Sequence, residues 1–353
     1  MAGSRVIGLD IGASAVRAAE LEFGGGRASG KTPPTLVRFG EVALPLGAVR
    51  DGEVVEQDIV AGALKTLWAN AKFASKDVVI GVGNQRVLVR EVDLPWMPLA
   101  HLKESLPYQV NELLPMAIDE ALFDYCPTAE FDGPQGRTVR GLLVAAQRDT
   151  VNANVLAVEG AGLRPTMVDL NAFALVRSLA RGDLAQRTVA IVDIGAAITT
   201  VVVAEAGRPK LVRALPAGGQ MITAAVASNL GIAAAEAETV KRQIGVGFAV
   251  PTDRAGVADA IADGVRSLVE SVRNTFVYYS SNGGGQIDAV VLTGGGAHLP
   301  GLGQYLSSAS RLAVVLGDPL AGLRAAKSFG REQLAGRESL VALSVGLAYG
   351  VAA

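Results

Sequence analysis

Two stretches of this sequence, VIGLDIGASAVRAAEL at residues 6–21 and AIVDIGAAITTVVVAEA at residues 190–206, carry one pattern twice. Aligned on Asp10 and Asp193, each reads apolar strand, D-I-G-A, small residues, apolar strand. A tight strand–Asp–Gly–strand turn points backbone N–H groups at an anion, and Gly or Ala leaves room for close approach. The aspartate cannot itself bind a phosphate. It can hold a Mg²⁺ that bridges phosphates. A single copy reads more readily as a plain hairpin whose Asp stabilises the turn. Two copies imply two similar lobes, and two such turns facing across a cleft would grip a polyphosphate from both sides.

The rest of the composition agrees with a two-lobed protein. At 353 residues the chain has room for about two to three domains. Half of its residues are hydrophobic, enough for sizeable cores with little room for long disorder. Lys+Arg 32 against Asp+Glu 34 leaves a net charge of −2, which argues against nucleic acid as a partner. The one cysteine, Cys126, excludes an internal disulfide framework and a cysteine zinc cluster. The opening MAGSRVIGLDIG lacks the apolar core of a secretory signal. Thr188 to Ala206 is apolar, but Asp193 and Gly195 divide it into two β-rich halves, so no membrane span is expected there.

Working outward, strands are expected at Val6–Leu9, Ala15–Leu21, Leu36–Pro45 and Asp77–Val82, with a glycine-rich loop from Gly24 to about Thr35. Apolar residues at four-residue spacing make Ile59–Phe73 a helix. From about Gly83 to Leu163 the character changes. A strand at Arg86–Val92, a helix at Leu99–Leu114 interrupted by Pro107, strands at Ala121–Phe131 and Val139–Ala146, and a helix at Asp149–Gly160 could form a module of their own. Helices at Ala172–Leu184, Met221–Leu230, Ala233–Gln243, Val257–Ser280 and Ser339–Tyr349 follow, with strands at Val189–Val192, Thr199–Ala204, Lys210–Leu215 and Ile287–Thr293. The last helix reads as buried.

A third glycine motif, VVLTGGGAHLPGL, follows the strand at Ile287–Thr293. Gly294, Gly295 and Gly296 would let the backbone lie against a flat ligand, or simply form a flexible strand-to-helix loop. It is neither a Walker A motif nor a Rossmann fingerprint. Together GLDIG, VDIGAA, GGQMIT, AEAETVKRQ and LTGGGAHLPGL resemble the actin-type ATPase superfamily of actin, chaperone ATPases, sugar kinases and FtsA. The stretch VDLPWMPLAHLKESLPYQVNELLPMAIDEALFDY, residues 92–125, is similar to the PilM family, the FtsA-like component of the type IV pilus assembly platform. Its Leu94-Pro95, Leu114-Pro115, Asp119-Glu120 and Phe123-Asp124-Tyr125 carry that likeness, and so does VDLNAFAL at Val168–Leu175.

The resemblance implies an α/β, two-lobed actin-like (ribonuclease H-like) ATPase fold. The first lobe would take residues 1–187, with a small inserted α/β subdomain at about 83–163. The second would take 188–353, its C-terminal helix returning to the cleft. ATP and Mg²⁺ are the implied cofactors. Asp10, Gly12, Ala13 and Ser14 would form the first phosphate loop, and Asp193, Gly195, Ala196, Ala197 and Thr199 the second. Asp10 and Asp193 would hold the metal. Gly218 and Gly219 would line the nucleotide, Glu238 and Lys241 would touch ribose and adenine, Gly294–Gly296 would back the adenosine, and His298 would cover the ring. Arg17 would reach a phosphate. Plainer roles stand beside these: a solvated ion pair for Glu238 and Lys241, a loop histidine for His298, a solvent-facing strand residue for Arg17.

One departure bears on activity. Ala197 and Ile198 stand where active members of the superfamily carry Gly and Thr. Asp169 is the only acidic candidate for orienting a water. ATP binding with slow or absent hydrolysis is therefore expected. The resemblance further implies a cytoplasmic scaffold, peripheral at the inner face of the cell membrane. Its anchor would be a PilN-like bitopic membrane protein, whose N-terminal cytoplasmic peptide binds between the first lobe and its insert. Other pilus platform or motor proteins, and self-association, complete the implied partners. The residues around Leu106, Val110 and Leu113 could line that groove or be plain core. An FtsA-like division protein and a small-molecule kinase of the same superfold are the alternatives.

Overall fold

The computed structural model describes residues 4–24, 33–134, 136–326 and 329–350. Most of the loop expected from Gly24 to Thr35 lies outside these residues, as do the last three residues and one residue of the turn at 132–137.

The first lobe is built on one sheet. Strands β1 (Ser4–Ile11), β2 (Ala15–Phe23) and β3 (Thr35–Ala43) form an antiparallel meander. A two-residue hairpin, β4 (Val49–Arg50) and β5 (Glu53–Val54), turns on Asp51 and Gly52, both at positive φ. Helix α1 (Gln57–Ala71) then leads to β6 (Asp77–Val82), parallel to β1. Next comes a three-stranded antiparallel sheet of β7 (Val87–Pro95), β8 (Ala121–Gly133) and β9 (Gly136–Gln147), with β9 in the middle. Between β7 and β8 lies α2 (Leu99–Val110), whose Leu102, Leu106 and Val110 pack on Leu94, Tyr125, Val139 and Leu143. These helix residues are part of the insert's own core. Helix α2 runs through Pro107 and ends at Val110, sooner than its apolar spacing suggested, because a single 3₁₀ turn takes over. Helix α3 (Arg148–Gly160), expected as the insert's last element, packs against α1 and shares the first lobe's core through Ala157 and Val158. Strand β10 (Arg164–Leu170) joins β6 in parallel, and α4 (Asn171–Leu179) crosses to the second lobe. Helix α4 stops at Leu179, not Leu184, with Gly182 at positive φ just beyond.

The second lobe repeats the first. Strands β11 (Thr188–Ile194), β12 (Thr199–Glu205) and β13 (Arg208–Leu215) form the same meander. Helices α5 (Gly219–Leu230), α6 (Ala234–Ile244) and α7 (Ala255–Ser281) follow. Strand β14 (Ala289–Thr293) pairs in parallel with β11, and after α8 (Leu302–Ser310) strand β15 (Val314–Leu316) pairs with β14. The sheets run β3-β2-β1-β6-β10 and β13-β12-β11-β14-β15, so the repeat seen in sequence is a repeat of topology. The apolar stretch 188–206 is the β11–β12 hairpin. Among the described residues no helix is long and apolar enough to cross a membrane.

The segment after β15 leaves the second lobe. Strand β16 (Arg324–Ala325) pairs with β3, and α9 (Ala342–Gly350) inserts between the sheets beside α4. Leu320, Leu323, Leu334, Val341 and Val345 share a core with Ala19, Leu21, Phe23 and Leu36, so the stretch expected in the second lobe packs on the first. The reason is visible in α9 itself: every residue from Ala342 to Tyr349 is buried. A helix apolar all round needs cover on all sides. A Cβ on Gly8 of β1 would sit 2.0 Å from Ser344 O, and one on Gly346 would sit 1.9 Å from Ala174 O. These two glycines let α9 lie against the backbone of β1 on one side and α4 on the other.

Candidate functional site

The two D-I-G turns have the same local geometry. Gly12 N–H donates to Ala15 O at 3.0 Å, and Gly195 N–H donates to Ile198 O at 2.9 Å. Ile11 pairs with Val16 and Ile194 with Thr199, so each turn closes in the same register. Among the described residues, the N–H groups of Ala13, Ser14, Ala196 and Ala197 have no protein acceptor. Each turn therefore presents two free backbone donors, the arrangement that suits anionic oxygens.

Asp10 and Asp193 stand just before these turns, on the sheet faces that look inward toward α9 and α4. Burial raises the Asp10 carboxyl against the pull of Arg17. Burial, and then the nearby charge of Asp10, push Asp193 up to about 7. Two carboxylates within reach of each other's field favour a cation between them. Among the described residues no cluster of three His, Cys, Asp or Glu side chains forms a metal cage. Two carboxylates, with ligand oxygens and water completing the shell, are the donor set Mg²⁺ commonly takes.

Arg17 faces neither solvent nor an open cleft. Its Nη2 donates to Glu41 Oε1 at 2.9 Å, its Nη1 lies 3.7 Å from Asp10 Oδ2, and its Nε is buried without a partner. Thr199 is turned away. Strand alternation puts it on Ile194's face, fully buried, with its hydroxyl donating to Ala217 O at 2.7 Å. Thr200, which pairs with Asp193, is the hydroxyl on the aspartate's face.

The remaining motif residues brace the second turn. Gly219 N–H donates to Gly195 O at 2.9 Å and Gln220 N–H to Ala196 O at 2.8 Å, which ties the start of α5 and the preceding Gly218 to the loop. Lys241 Nζ donates to Gly219 O at 3.0 Å and to Thr223 Oγ1 at 2.9 Å, and lies 2.6 Å from Glu238 Oε2. All three ammonium donors are thus engaged inside the lobe. Glu238 also accepts from Thr223 and Arg242. Hence this is a half-buried network joining α5 and α6, not a solvated pair. Gly294, at φ 81°, lies behind Asp193, since a Cβ there would come 2.4 Å from Asp193 Oδ1. Gly295–His298 form one 3₁₀ turn, and His298 Nε2 is 2.8 Å from Ser339 Oγ, so that histidine ties the glycine motif to the segment before α9.

Asp169 is not poised over the cleft. It is ion-paired with Arg177 and takes the N–H of Leu170, while Arg177 Nε donates to Gly346 O at 3.2 Å. That makes it part of the α4–α9 packing. Three residues at or beside the site make contacts that the sequence did not announce. Glu41 orders Arg17 from a strand away. Asn171 lays its side chain over Gly81 and Gly83 with its buried Oδ1 unpartnered. Ile198 Cδ1 reaches the first lobe, 2.9 Å from where a Gly52 Cβ would be.

Comparison with known proteins agrees with this architecture. The family described as type IV pilus assembly protein PilM matches residues 8–350. A solved PilM–PilN type IV pilus biogenesis complex superposes with a TM-score of 0.84 at 27% identity, covering 99% of this chain and 98% of that one. MreB5 of Spiroplasma citri bound to ADP gives 0.54 at 12% identity, covering 97% and 94%, a likeness of fold alone. Among curated proteins, cell division protein FtsA of Bacillus subtilis is 23% identical over 261 residues, 68% of this chain. The chain spans 58% of the length of that relative.

Proposed function

We propose a function from one premise: this chain belongs to the family of the type IV pilus assembly protein PilM. It is a nucleotide-binding scaffold of the pilus assembly platform. It works on the cytoplasmic side of the inner membrane, held there by the N-terminal cytoplasmic peptide of a PilN-like membrane protein. The observation that carries this reading is the match across the whole chain, insert included, to the PilM–PilN complex. An extended peptide lying between the insert and the first lobe would gain affinity from backbone hydrogen bonds and selectivity from side-chain pockets.

In the cleft the ligand is ATP with Mg²⁺. The free N–H groups of Ala13 and Ser14 on one side, and of Ala196 and Ala197 on the other, would take phosphate oxygens. Asp10 and Asp193 would hold the cation, whose two positive charges would offset part of the charge of the carboxylates and the polyphosphate. The nucleotide named with MreB5 supports this on the level of fold. Hydrolysis is slow or absent. Ala197 and Ile198 offer no hydroxyl to the γ-phosphate, and Asp169 is spent on Arg177.

The test is calorimetry of the full chain with an N-terminal PilN-type peptide. Binding in the micromolar range, roughly −8 kcal/mol, is expected. A variant lacking residues 87–147 should lose the peptide and keep Mg-ATP. Direct binding to lipid vesicles with no response to the peptide would favour an FtsA-like protein instead. Phosphorylation of a small substrate would favour a kinase.

A further inference from the structure

Asp10, Arg17 and Glu41 are directly opposite one another on β1, β2 and β3, and so share one row on one face of the sheet. The row continues off the sheet. Glu41 Oε2 is 2.6 Å from Arg337 Nη2, in the segment that leads to α9. Charges therefore alternate from the cleft outward as Asp10, Arg17, Glu41, Arg337. The spacing is uneven: Arg17 makes a hydrogen bond to Glu41 at 2.9 Å but stays 3.7 Å from Asp10. Its side chain is only 14% exposed, so water does little to satisfy it, and its Nε has no partner among the described residues. The second lobe has no counterpart, since Thr200 occupies Arg17's place opposite Asp193.

An arginine beside a metal-binding carboxylate is a competitor for it. A guanidinium that closed on Asp10 as a bidentate pair would occupy both oxygens and repel an incoming cation. We infer that Glu41 is a positioning residue for the metal–nucleotide site: it draws Arg17 back from Asp10 and so keeps that carboxylate free for the cation. Glu41 touches neither metal nor nucleotide and acts through Arg17. Arg337 works in the opposite sense: it pairs with the other oxygen of Glu41 and so offsets part of the charge that draws Arg17. This inference rests on reading the cleft as a metal–nucleotide site.

The test is the ratio of two ATP affinities of the full chain, one measured with Mg²⁺ and one with a chelator. The wild type should favour the Mg²⁺ form. Glu41→Gln keeps shape and removes charge, and should shrink that preference about five- to tenfold, mainly by weakening Mg-ATP. Glu41→Asp should recover most of it. Arg337→Ala should leave the preference intact or enlarge it. A structural role alone would shift both variants alike, whereas here only Glu41→Gln shrinks the preference. If the wild type prefers Mg²⁺ and Glu41→Gln keeps the full preference, or Arg337→Ala shrinks it equally, the role given to Glu41 is overturned while the cleft reading stands. If the wild type shows no preference for Mg²⁺, both fall together.

Discussion

Asp10 and Asp193 hold the same position in two copies of one hairpin, yet the residue across the strand pair is Arg17 for the first and Thr200 for the second. One carboxylate has a cation beside it. For the other, burial and then the field of its twin hold the carboxyl up to about 7, against a weaker pull from Arg17.

That asymmetry gives the free protein a pH dependence. Unfolded, Asp193 loses its proton near 3.8; folded, near 7. Between these values the folded chain binds more protons, so stability falls as pH rises through the interval and this group adds no further slope above it. Thermal denaturation without metal or nucleotide should show the fall. Asp193→Asn should flatten it and raise the midpoint on the alkaline side. An identical slope in the variant would refute the assignment.

Helix α9 should tolerate no added methyl at its two close approaches. Gly346→Ala would drive a Cβ into Ala174 O, and Gly8→Ala would drive one into Ser344 O, both backbone atoms with little freedom to yield. Each should cost about 1–3 kcal/mol or more in a denaturant titration. Gly62→Ala, where nothing lies within 4 Å, is the control and should be neutral or mildly stabilising.

These contrasts show which parts of the molecule were legible in advance. The D-I-G repeat was, because a turn between two apolar strands is written in neighbouring residues, and it led to the doubled topology. The face of Thr199 was legible too, by counting alternation from Asp193. Glu41 was not, since nothing local says which strand lies beside β2, and a lone Glu in a strand looks like any other. Nor was the return of the chain to the first lobe. The apolarity of α9 announced only burial, while the family resemblance implied a helix returning to the cleft without showing that the segment before it packs on the first lobe. Helix α3 followed the insert in sequence, but its Ala157 and Val158 belong with α1.

Asp169 should matter for stability and not for nucleotide. Its carboxylate and the Arg177 guanidinium are both largely shielded from water. Asp169→Ala leaves that arginine unpaired against α9, which should cost about 3 kcal/mol. ATP affinity of the folded fraction, by calorimetry, should be unchanged. A folded variant with weakened ATP binding would return Asp169 to the cleft.

Phosphate release should be slow. With Ala197 and Ile198 in the second turn, single-turnover rates on the order of 10⁻³ s⁻¹ or below are expected, as for NTPases lacking their charge-stabilising residue. A quenched-flow or phosphate-sensor trace would report a fast enzyme at once.

Everything assigned to the cleft depends on two aspartates gripping one metal–nucleotide from opposite lobes. The most direct measurement is calorimetry of Mg-ATP with the wild type and with the Asp10→Ala/Asp193→Ala double variant. Circular dichroism should show both folded, since neither side chain is part of an apolar core. The wild type should bind, each single substitution should weaken binding, and the double variant should bind weakest or not at all. Equal affinity in the double variant, with Mg²⁺ present, would contradict the assignment.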